Sequence, residues 1–123
     1  MRALELGSKG EMRERLNGLV LAGLKQATAG LVDDYEDEPF EAVGERLVLV
    51  DDDTRRVGVV EVTSTQSTTF GDVPWSFAAA ENEGDTTIEE WRAGHRRFWL
   101  TEGVEVTDAT PVFLVYFRLT EAV

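Results

Sequence analysis

Apolar residues recur along the chain with two periods, and each period marks a different element. Met12, Leu16, Leu19 and Val20 fall on one face at helical spacing. Ser8-Lys9-Gly10-Glu11 has capping-box spacing ahead of them, and Gly23 supplies a stop, since it adopts positive φ without a Cβ clash. The pattern predicts a first helix between these signals, then a turn into a second short helix over Leu24 to Leu31. Asp33 to Glu41 is acidic and contains Pro39, which reads as a solvated loop. Arg46 to Val50 and Val57 to Thr65 are β-branched runs around Asp51-Asp52-Asp53, and they read as a hairpin.

Beyond it, a helical region starts near Asp72 with Val73, Phe77 and Ala78 on its apolar side, and Gly84 and Asp85 break it. Thr86 or Thr87 can cap a further helix, with Glu89 or Glu90 three residues on. Ile88, Trp91, His95 and Phe98 form that helix's apolar stripe. Val112 to Leu119 is apolar on both faces until Arg118, so it belongs inside a sheet. Few long helices and irregularly interleaved strands predict an α+β domain over residues 1–123, with an antiparallel or mixed curved sheet.

Composition narrows the function classes. The 123 residues are enough to bury one core. A formal charge of −12 disfavours binding bulk nucleic acid through its phosphates, and it disfavours anionic membranes equally. Its plainest meaning is solubility. No apolar run approaches a membrane span, and MRALELGSKGEM lacks the apolar stretch of a leader peptide. There is no cysteine, hence no disulfide and no thiolate metal site. The expected compartment is the cytoplasm. The single histidine has no His or Cys partner, so neither a metal nor a cofactor is expected.

Three blocks together resemble the ASCH family. They are LVLAGLKQAT over Leu19 to Thr28, FGDVPWSFAAAENEGD over Phe70 to Asp85, and IEEWRAGHRRF over Ile88 to Phe98. Their order and spacing carry the likeness, which covers nearly the whole chain. The sequence departs from the family pattern at Gln26, where Thr is commoner, and at Asn82, which replaces the usual Gly. The resemblance implies a PUA-like fold, a small curved β-barrel flanked by helices. It also implies a cleft for RNA or a modified nucleoside.

Some small bacterial ASCH-like enzymes remove the acetyl group from the exocyclic amine of acetylated cytidine. Their set of a Lys, a Thr three residues later and a downstream Glu is matched here by Lys25, Thr28 and Glu83, with Glu81 as the alternative acid. Without the resemblance, Lys25 reads as a solvated lysine and Thr28 as a helix cap. Asp85 reads as a helix-dipole partner that could pair with Arg92, and Tyr35 as a wall of the cleft. Glu81, Asp85, Arg92 and Tyr35 thus complete the candidate ligand-binding residues. His95, on an apolar stripe, reads as a hydrogen-bonded core residue. Three functions fit: an RNA- or nucleoside-binding module, a small amidohydrolase acting on acylated cytidine nucleosides and, more weakly, a ribonuclease. The acidic balance favours a small ligand over long RNA.

Overall fold

Alternation along the last strand organises the molecule. In the computed structural model, which describes residues 1–123, strand β5 (Pro111–Ala122) lies inside the sheet. Phe113, Val115 and Phe117 point to one side, and Val112 and Leu114 to the other, as period-two geometry requires. Because both faces are covered, the strand can be apolar on both sides from Val112 to Phe117, as its sequence implies.

The sheet has five strands in the order β1 (Arg2–Leu4), β3 (Arg46–Val50), β4 (Arg56–Thr69), β5 and β2 (Ala27–Leu31). The β1–β3 pair is parallel and all others are antiparallel. The predicted hairpin is β3–β4. Register shifts at Val59/Val60 and Val62/Ser64 let the long β4 bend, and the mixed sheet curls into a half-barrel.

Helix α1 (Glu11–Leu21) packs Leu16 and Val20 onto the side of β5 that carries Phe117. Helices α2 (Trp75–Glu81) and α3 (Ile88–Thr101) cover the other side, where Phe70, Phe77, Trp91 and Trp99 join Leu114. This is the α+β, PUA-like architecture.

Three local expectations are corrected. Leu24 to Leu31 is not helical: its second half is β2, hydrogen-bonded along β5 from Ala27↔Tyr116 to Leu31↔Val112. Partner strand outweighed local preference there. Ser8 does not cap α1. The N-cap is Gly10, whose φ of 102° needs glycine and whose N–H donates to Asp52 at 2.9 Å. The region near Asp72 opens as a 3-10 turn (Phe70–Asp72), and α2 starts only after Pro74. The cap of α3 is Thr87, which accepts from the Glu90 N–H, while Glu90 reaches back to the Thr86 N–H at 2.9 Å.

Candidate functional site

The site begins with how α1 ends. Gly23 takes φ 76°, Leu24 N–H donates to Leu19 and Gly23 N–H to Val20, the paired bonds of a Schellman stop. The chain then turns onto the end of α2. Gln26 N–H donates to the Ala80 carbonyl at 2.8 Å. Asn82 adopts the left-handed conformation (φ 53°) that a glycine would take, and its side-chain amide donates to the Leu24 carbonyl at 3.0 Å. The departure from Gly at this position therefore keeps the turn and adds a clasp between the two loops.

That clasp brings distant charges together. Lys25, 2% exposed, donates to the Ala27 carbonyl at 2.7 Å and to Glu83 at 2.6 Å, with Glu81 at 3.6 Å. Glu81 is equally buried. Its Oε1 accepts from the Trp91 indole at 2.5 Å and lies 3.2 Å from His95 Nε2. Burial by itself would raise the Glu81 carboxyl. The Lys25 charge, then the His95 bond and charge, then the Trp91 N–H outweigh it and hold the group below its ordinary value. Burial works against a charged His95 ring, but Glu81, Glu83 and the Trp91 carbonyl outweigh it and push the ring upward.

A cavity of about 210 Å³ opens over this cluster. Thr28 on β2 lines it together with Lys25, Glu81, Glu83, Asp85 and His95, and Phe98 and Trp99 supply apolar wall. The structure thus gathers the Lys, the Thr and both candidate acids around one space, although Lys25 and Thr28 do not share a helical turn. The cavity lies below the size range of pockets for drug-sized ligands, and a nucleobase suits it better than a strand.

Two candidates sit elsewhere. Tyr35 packs on Phe40 and Phe113 at 4.8 and 5.6 Å, and it lines an adjoining groove that shares Thr28 with the cavity. Gly30 makes room for it, since a Cβ there would stand 3.2 Å from the ring. Arg92 does not reach the cavity. Its guanidinium donates to the Gly71 and Val73 carbonyls, which ties α3 to the loop before α2, and the expected pair with Asp85 does not form. Sequence reasoning missed His95 as a member of the charged cluster and exposed Arg15 as part of the wall. Only the helical stripe hinted at His95, and Arg15 gave no signal.

Comparison with known proteins agrees with this architecture. The ASCH domain family model matches residues 2–121. The chain belongs to the ASCH domain family. Among solved structures, an ASCH domain from Lactobacillus crispatus is 26% identical, with a TM-score of 0.86 over 98% of this chain and 79% of that one. A protein from Enterococcus faecalis is 23% identical, with a TM-score of 0.87 over 99% of this chain and 77% of its own. An ASCH protein from Zymomonas mobilis is more distant, at 13% identity and a TM-score of 0.56 over 85% of this chain and 63% of its own. No curated protein matches the sequence significantly.

Proposed function

We propose that this ASCH domain is a small amidohydrolase that removes an acyl group from the exocyclic amine of a cytidine-type nucleoside. The observation that carries this reading is the buried Lys25–Glu83 contact of 2.6 Å in a cavity also lined by Thr28. Buried, charge-coupled groups in a cleft are where catalytic acids and bases are found.

The pair can supply both a base and an acid. Moving one proton from Lys25 to Glu83 gives a neutral amine and a carboxylic acid, without a proton from solvent. Thr28 Oγ1 then attacks the acyl carbon while its proton passes to Lys25. As the C–N bond breaks, Glu83 protonates the departing amine. The ion pair is now restored and the acyl group is an ester on Thr28. Water attacks that ester, giving one proton to Glu83, and Lys25 returns its proton to Thr28 Oγ1. The acid product leaves with the neutral pair reset.

A binding module without turnover is the second reading. The grip of the Ala27 carbonyl and Glu83 on Lys25 favours it, because a lysine so engaged must be freed before it acts as a base. Either reading suits a small neutral ligand, since the cavity wall carries Glu81, Glu83 and Asp85 and the chain is strongly acidic.

The test is acid release from N4-acetylcytidine, followed by chromatography. Turnover by wild type, near-complete loss in Lys25→Met and a loss of about a hundredfold in Glu83→Gln support the hydrolase. Lys25 is buried, so a thermal melt accompanies each variant. Nucleoside binding without turnover supports the module instead.

A further inference from the structure

His95 hydrogen-bonds to one group and stands in ion-pair contact with another, and both of them can only accept. Nδ1 lies 3.0 Å from the Trp91 carbonyl oxygen, and Nε2 lies 3.2 Å from Glu81 Oε1. A neutral imidazole has one N–H and would leave one contact without a proton. The ring therefore satisfies both partners only as imidazolium. It is fixed in place by stacking on Trp91, with centroids 4.0 Å apart, and by Trp99 at its edge.

The two oxygens of Glu81 are treated unequally. Oε1 receives Trp91 and His95, and Oε2 stands 3.6 Å from Lys25. Lys25 is a full 1 Å closer to Glu83, at 2.6 Å. We propose that His95 is a positioning residue for the lysine of the cleft, acting through Glu81: it draws that carboxylate back and leaves Lys25 to Glu83.

The charges around the ring are Glu81 at the end of α2, Glu83 beyond it and Lys25 ahead of β2, and Asp85 and Arg15 line the same cavity. With His95 charged, the inner four groups balance, two cations against two carboxylates. When the ring loses its proton, the whole charge of Glu81 falls on Lys25, which then keeps its proton more tightly. Proton transfer to Glu83 becomes harder. Burial opposes a charged ring, but the neighbouring carboxylates and the Trp91 carbonyl outweigh it, so the ring is held charged to higher pH than usual.

The ring can be read directly, because His95 is the only histidine in the chain. The effect on turnover rests on the hydrolase reading, but the ring's state does not. The experiment follows the ring nitrogens of 15N-histidine-labelled full chain by NMR across pH, in wild type and Glu81→Gln. In parallel, kcat/KM on N4-acetylcytidine is measured against pH in wild type and His95→Gln. The expected result is a ring with both nitrogens protonated at neutral pH, and a transition that moves down in Glu81→Gln. Wild-type kcat/KM falls as pH rises through the same transition, and His95→Gln loses that limb while KM changes little. A singly protonated ring at neutral pH, or a transition indifferent to Glu81→Gln, overturns the proposal. So does an alkaline limb that persists in His95→Gln. If wild type turns over nothing while the ring titrates as expected, the hydrolase reading falls and the hold of His95 on Glu81 stands.

Discussion

On one side of β5, Phe113, Val115 and Phe117 meet Leu16, Val20, Leu47, Leu49 and Val60. Nothing in that set carries a side-chain donor or acceptor. On the other side, Leu114 meets Phe70, Phe77, Trp91 and Trp99. Here the fully buried Trp91 brings an indole N–H, and a buried donor needs an acceptor. Glu81 supplies it, and a carboxylate so deeply buried needs cations, which Lys25 and His95 supply. The difference shows how a polar site can grow from a packing choice. A core without polar side-chain atoms ends at its own surface, whereas the one built around the Trp91 indole ends in a chain of linked charges.

The sharpest way to break this comparison is to empty each side in turn. Phe117→Ala and Trp91→Ala each remove a large buried ring, and each should lower unfolding free energy by about 3–5 kcal/mol in denaturant melts. Only Trp91→Ala should also displace the His95 titration. Equal displacement by both would mean that the charged cluster senses the whole fold rather than one core.

A smaller effect separates the two sides by pH. His95 titrates above its ordinary 6.5 in the folded chain. Its contribution is thus fully present below the unfolded pKa and is lost as pH rises through the folded one. Glu81 titrates below its ordinary 4.5, so its contribution is present above that value and is lost as pH falls through the folded one. The cluster therefore stabilises most between 4.5 and 6.5. The Tm difference between wild type and His95→Gln should shrink as pH rises above 6.5. A constant difference would remove His95 from the charge balance.

The smallest effect is expected outside both cores. Arg118, exposed near the end of β5, pairs with Glu61 at 3.2 Å. Arg118→Ala should change stability by about 0.2–1 kcal/mol, less at high salt, and should leave His95 untouched. A larger loss in chemical denaturation would show that this end of the strand is held by charge.

Much of the scaffold was legible in sequence. The β3–β4 hairpin, the stripe of α3 with its threonine cap, and the two-faced β5 follow from local periodicity and turn chemistry, which operate over a few residues. Lys25, Thr28, Glu81 and Glu83 were legible as candidates only through family likeness, since their spacing alone is ordinary. Tertiary structure decided the rest. ATAGL became β2 because β5 offered it a hydrogen-bonding edge, and its small residues state no strong preference of their own. Arg92 left the site for two loop carbonyls that no sequence rule places beside it. His95 was visible as a point on a helical stripe, but its charge depends on what its two nitrogens face. One partner is a carbonyl one turn back, and the other is a carboxylate from a different helix. Periodicity reports which way a side chain points. Its protonation is set by the groups that meet it there, and folding alone brings those groups together.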